Sequence, residues 1–201
     1  MMDRPIIFSA FMVNSLLAGR KTQTRRLAWR DPHGEGPAGA LASPWQAVQP
    51  GDRLWVRERV RGEEHPEEDI SGVRYLADDF WQPIANTEQA SEDWLRLYTY
   101  ATTDTLTGGK SVPSIHMPRW ASRLTLTVTA IRVEPLWNIT ESDAIAEGVI
   151  PSAVNRSGHP LTPHLAAFSD LWLKLHDYTT WASNPEVAVI SFDVASRNID
   201  T

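Results

Sequence analysis

The chain has no cysteine, which excludes a disulfide framework, a thiolate zinc site and a cysteine nucleophile. It has no run of eighteen apolar residues, since the apolar stretch near its start is short and broken by Asn14. Neither a membrane span nor a signal peptide is therefore expected. HExxH, GxSxG and Walker-type glycine loops are missing, and with them the chemistries those spacings serve. Gly34, Gly36 and Gly39 have a GxGxxG spacing, but Pro37 lies inside it. No strand pattern precedes it and no helix pattern follows, so it is read as a loop. Of the six histidines, His159 and His164 are five apart across two prolines and make no metal set. There is no internal repeat and no low-complexity tract. The expectation left standing is a globular, cytoplasmic protein without a metal or an organic cofactor.

What is present suits a core. An apolar fraction of 42% and nine tryptophans in 201 residues are enough for one generous domain. The net charge of −6 hides an asymmetry: residues 1–61 hold ten Lys/Arg against five Asp/Glu, residues 62–201 nine against twenty. A basic first third on an acidic body points to a localised anion-binding face rather than a generic nucleic-acid coat.

Ser9 is placed to cap a helix running to about residue 20, with Phe11, Val13, Leu16 and Leu17 as its apolar stripe and Gly19 near its end. Residues 31–50 read as a loop. Pro50-Gly51-Asp52 turns into a strand, DRLWVRERV, with Leu54, Val56 and Glu58 on one face. A glutamate on that apolar face must sit at the strand end or find a cation. The other face alternates Arg53, Trp55, Arg57 and Arg59, which suits stacking and phosphate contact, or an exposed edge with Trp55 covering a satellite core. Residues 62–69 read as an acidic linker, followed by weak strand patterns at 73–77 and 95–101. Together they form an insertion at about 60–116. LTLTVTAIRVE is a clear strand, Thr140 to Asp143 cap a short helix ending at Glu147-Gly148, and Thr162-Pro163 open a helix with Leu165, Phe168, Trp172 and Leu175 at core spacing. A strand over 186–194 closes the chain. The sum is a single α+β domain on a small barrel or curled sheet.

The chemistry concentrates in LAGRKTQTRRL, residues 17–27, where Lys21 and Thr24 stand three apart among Arg20, Arg25 and Arg26. Threonine needs an activating base, and neighbouring guanidinium groups disfavour a charged lysine and so lower its pKa. The same residues also suit gripping phosphate. Glu147 in the last turn of its helix opposes the helix dipole, a placement that marks it as a functional suspect. Glu58 is a reserve carboxylate, and Trp55 and Trp120 are candidate stacking platforms beside Arg57.

LLAGRKTQTRR, PGDRLWVRE, ITESDAIAEGV and VAVISFDV, in that order, resemble the ASCH family of the PUA-like superfamily, in its long bacterial and phage form. The resemblance implies a small β-barrel with a cleft, short flanking helices and a large insertion, and recognition of RNA or modified nucleosides. Small ASCH proteins include amidohydrolases of acetylated cytidine that use a lysine, a threonine and a glutamate. By motif these fall on Lys21, Thr24 and Glu147, with Arg20, Arg25 or Arg26 holding phosphate or developing negative charge. The expected partner is a modified nucleoside or single-stranded RNA. Two other readings stay open, a non-catalytic RNA or modified-base binder and a ribonuclease, because the fold alone does not carry the activity.

Overall fold

A computed structural model describes residues 1–30, 39–65, 69–101, 109–151 and 162–201; Gly34, Gly36 and His159 lie outside the described residues. Among these, ten strands and five α-helices form a mixed α+β fold. In chain order β1 (Asp3–Ile7), α1 (Ala10–Leu17), β2 (Gln23–Leu27), β3 (Trp29–Arg30), β4 (Leu41–Ala42) and β5 (Arg53–Arg57) come first. β6 (Val60–Glu64), β7 (Ser71–Tyr75), β8 (Phe80–Pro83) and α2 (Glu88–Tyr98) occupy the stretch read as an insertion. β9 (Thr125–Pro135), α3 (Glu141–Ala146), α4 (Pro163–Leu175), α5 (Tyr178–Ala182) and β10 (Glu186–Ala195) follow.

The main sheet has the order β1-β5-β9-β10-β2, beside a pair β3-β4 and a three-stranded sheet β6-β7-β8; none of them closes on itself among the described residues. β10 and β2 run antiparallel, with Ile190 opposite Thr24 and Ser191 opposite Gln23. Val187, Ala188, Val189 and Ile190 are all fully buried, so this run is covered on both faces, as its unbroken apolar sequence implies.

The chain divides into two compact units: residues 1–3, 15–53 and 126–195, and residues 4–14, 54–125 and 196–201. The first has a core of Leu136, Phe168, Trp172, Trp181, Val187 and Val189. Each such large side chain contributes about 1.5–3 kcal/mol by leaving water. The second packs Val60, Val73, Tyr75, Leu97, Val112 and Met117.

Several local expectations are corrected. Residues 95–101 are not a strand: 95–98 are the last turn of α2, capped by Thr87, whose hydroxyl accepts from the Ala90 N–H. The alternation in Leu95-Arg96-Leu97-Tyr98 imitates a strand over four residues. Trp94 and Leu97 are the buried pair, and Tyr98 stacks on Trp94 one turn back at 4.7 Å, which is helical spacing. α1 buries Met12, Val13 and Leu16 but leaves Phe11 and Leu17 exposed, and Leu175 on α4 is exposed as well. β5 is not an edge: it lies between β1 and β9, and Trp55 is buried. No helix among the described residues is long and apolar enough to cross a membrane.

Candidate functional site

In the first unit, the chain leaving α1 turns at Gly19, whose φ of 68° lies in the left-handed region that glycine adopts without strain. The backbone N–H groups of Arg20 and Lys21 then donate to the Ser15 carbonyl at 2.9 and 3.1 Å. From the other side comes α3, begun by a capping box in which Thr140 and Asp143 satisfy each other's backbone N–H. It ends at Glu147, followed by Gly148 with φ 80°. Lys21 and Glu147 meet there as an isolated antiparallel bridge. A Cβ on Gly148 would stand 2.8 Å from the Cβ atoms of both Lys21 and Ser15, so only glycine allows this approach. The Ser15 hydroxyl donates to the Gly148 carbonyl at 2.9 Å.

Lys21 is fully buried. Its ammonium donates to Glu147 Oε2 at 2.8 Å, to the Glu147 carbonyl at 3.0 Å and to the Gln23 carbonyl at 2.8 Å. This explains how a glutamate is tolerated at a helix C-terminus: a cation sits on both its carboxylate and the last carbonyl. Burial pushes the lysine pKa below its ordinary value against the pull of Glu147, and Arg26 and Arg25 add to the depression.

Arg25, also buried, holds the other oxygen, Glu147 Oε1, at 3.3 Å. It reaches Glu134 at 3.0 Å and Asp143 at 3.3 Å as well. Arg132 closes the circuit, donating to Glu134 at 3.0 Å and to Asp143 at 2.8 Å. Gln23 donates to Asp143 at 3.1 Å. Burial works against the ionised form of Asp143, but the Thr140 N–H and hydroxyl, Arg132 and Gln23 outweigh it and hold its carboxyl far below the usual range. Lys21, Arg25 and Arg132 thus face Glu134, Asp143 and Glu147, and the Arg26 charge also acts on Lys21 and Glu147.

The structure brings Lys21, Glu147 and Arg25 together. Thr24 is buried too and stands opposite Ile190 in the β2–β10 ladder, one residue out of step with Gln23 and Arg25 in the alternation of the strand. None of the hydrogen bonds described for Lys21 reaches Thr24. Arg26 lies over the Trp45 ring at 5.8 Å, and Arg20 is exposed. The Arg25 guanidinium serves three carboxylates, a role unlike the phosphate grip expected of it.

The remaining candidates lie in the second unit. Glu58 is 1% exposed and accepts a two-pronged contact from Arg123 at 2.8 and 2.9 Å, meeting the requirement for a cation. Burial raises its pKa against the pull of Arg123. Arg123 also donates to Asp78 and lies over the Tyr75 ring at 4.1 Å. Arg57 donates to the Ile115 carbonyl and lies over Trp55 at 5.3 Å. Trp55, being buried, presents no stacking face, whereas Trp120 is half-buried. His164 bonds Glu141 at 2.7 Å. The described residues contain no group of three or more metal-ligating side chains.

Sequence reasoning overlooked Ser15, Gln23, Arg132 and Glu134 and took Asp143 only as a cap. Gln23 and Arg25 stand two and four residues from Lys21, and Arg132 and Glu134 two apart in a strand, so a same-face reading was open in each case. Chemically, the Lys21–Glu147 hydrogen bond is a path along which one proton can pass between amine and carboxylate without water. No protein-family model, curated protein or solved structure matches the chain.

Proposed function

We propose that the chain is a hydrolase of an amide or related acyl bond on a modified nucleoside or nucleic-acid base, built as an ASCH protein with a PUA-like barrel at its core. The observation that carries this reading is Lys21, fully buried with its ammonium 2.8 Å from Glu147 Oε2. It unites the two motifs, GRKTQTRR and ITESDAIAEG, on which the resemblance rests. In this reading the Thr24 hydroxyl attacks the acyl carbonyl, the Lys21–Glu147 pair accepts its proton and returns it to the leaving amine, and water then releases the acid from the threonine.

A second reading, recognition without chemistry, is favoured by the three acceptors that already hold the Lys21 ammonium. Turnover of purified protein against acylated nucleosides, followed by mass spectrometry, separates them. Hydrolysis predicts release of cytidine from acetylated cytidine, lost in both Lys21→Ala and Thr24→Ala. Full activity in Thr24→Ala would leave the Lys21–Glu147 pair acting on water directly. No turnover by the unaltered chain across the panel would move the function to binding, and 2′,3′-cyclic phosphate ends on an RNA substrate would mark a ribonuclease.

A further inference from the structure

Lys21 and Arg25 lie four residues apart and both end on the Glu147 carboxylate, the lysine on Oε2 at 2.8 Å and the arginine on Oε1 at 3.3 Å. The terminal torsion of a glutamate is broad and nearly two-fold, so Glu147 alone does not fix the plane of its carboxylate. Arg25 is equipped to do so. Its Nη1 takes Oε1, while its Nη2 is anchored on β9 by Glu134 at 3.0 Å and on α3 by Asp143 at 3.3 Å. Phe168 of α4 lies against the guanidinium at 5.9 Å. Arg25 Nε is buried with no acceptor among the described residues. A donor left unpaired in the interior is unfavourable, so the carboxylates rather than the stem of the side chain decide where this guanidinium stands.

Two cations on one carboxylate oppose each other. Arg25 repels a proton on Lys21 directly, and by drawing on Glu147 it weakens the attraction that holds that proton. Both effects have the same sign. The other charged groups about the pair are Arg26 on β2, which also depresses the lysine, Asp143 on α3, and Arg132 and Glu134 on β9. Behind Arg26, His176 at the end of α4 feels the arginine charge. Arg132 belongs to the same network, but its described bonds go to Glu134, Asp143 and Gln23 and not to Glu147.

We propose that Arg25 is the positioning residue of the Lys21–Glu147 pair: it fixes the plane of the carboxylate and draws part of its charge away from the amine that would take a substrate's proton. The bearing of this on hydrolysis rests on the function proposed above; its bearing on the pair does not.

Lysine occurs three times, at 21, 110 and 174, and Lys110 and Lys174 are exposed. The full chain labelled with carbon-13 at lysine Cε therefore gives three signals, and Lys110→Arg with Lys174→Arg assigns the one that stays. Its shift against pH reads the Lys21 midpoint. Arg25→Gln should raise that midpoint by about one pH unit. Arg25→Lys should raise it by less, because it returns the charge without the fork that serves three carboxylates. Arg132→Gln, which loosens the network without touching Glu147, should move it less than half as far as Arg25→Gln. An unmoved midpoint in Arg25→Gln, or an equal rise in Arg132→Gln, overturns the proposal. If Arg25→Gln does not fold, Arg25→Lys decides, and an unmoved midpoint there overturns it as well. If the unaltered chain turns over acetylated cytidine, the pH–rate profile of Arg25→Gln should move in the same direction and by the same amount, with KM unchanged. No turnover by the unaltered chain counts against the hydrolase reading alone, since the titration needs no substrate.

Discussion

At the scale of single residues, Lys21 sets the behaviour of the first unit with pH. Its pKa in the folded chain lies below the ordinary 10.5 because burial outweighs the attraction of Glu147. Between the lowered value and about 10.5 the unfolded chain binds a proton that the folded chain does not, so stability rises as pH climbs through that window. Urea unfolding at a series of alkaline pH values should show this rise in the unaltered protein and its absence in Lys21→Met. The same substitution should cost about 3 kcal/mol at neutral pH, because removing one partner strands a buried charge. Arg25 on Glu147 Oε1 keeps that cost at the lower end of the range. An unchanged slope with pH would mean that Lys21 is not the group that titrates.

Among elements, α3 is the positioning device. Replacing its cap, Thr140→Ala, removes the bond that Oγ1 accepts from the Asp143 N–H together with its contacts to Asp143 Oδ2 and Ser142 Oγ, and should cost about 1 kcal/mol. Gly148→Ala should cost more than the cap, although it changes a single methyl group. It combines a φ of 80° with contacts of 2.8 Å to Lys21 and Ser15, so the bridge itself must part. Thermal unfolding of the two variants side by side tests the order; a milder Gly148→Ala would show that the bridge yields easily. This element was also the most readable in the sequence, because capping residues, glycine and a misplaced glutamate are all local signals. The partners of Arg25 were not readable, since Glu134 on β9 and Asp143 on α3 reach it only through long-range folding. α2 was misread for the opposite reason: its local alternation was genuine, and the burial of Trp94 and Leu97 overrode it.

For the whole molecule, the basic first third contains less free charge than its count implies. Lys21 and Arg25 are committed to carboxylates, Arg53 to Asp3 and Arg61 to Glu63, while Arg20, Arg30 and Arg59 are exposed. Binding of a short single-stranded RNA should therefore depend weakly on salt. Three phosphate contacts give a slope of about −2.1 in log K against log salt. Fluorescence anisotropy across a salt series reads this directly, and a slope steeper than about −3 would mean that more of the arginines are engaged than the ion pairs allow.

The bridge between Lys21 and Glu147 spans 126 positions of sequence, which gives the site a place in time as well as in space. A contact that distant forms only after a long loop has closed, a step that is slow and entropically costly. The pair cannot pre-exist in a nascent fragment or in a partly folded chain holding only β2 or only α3. Lys21 with its lowered pKa is thus a signature of completed folding. Any chemistry that depends on the pair is silent until the segment bearing α3 has joined the segment bearing β2.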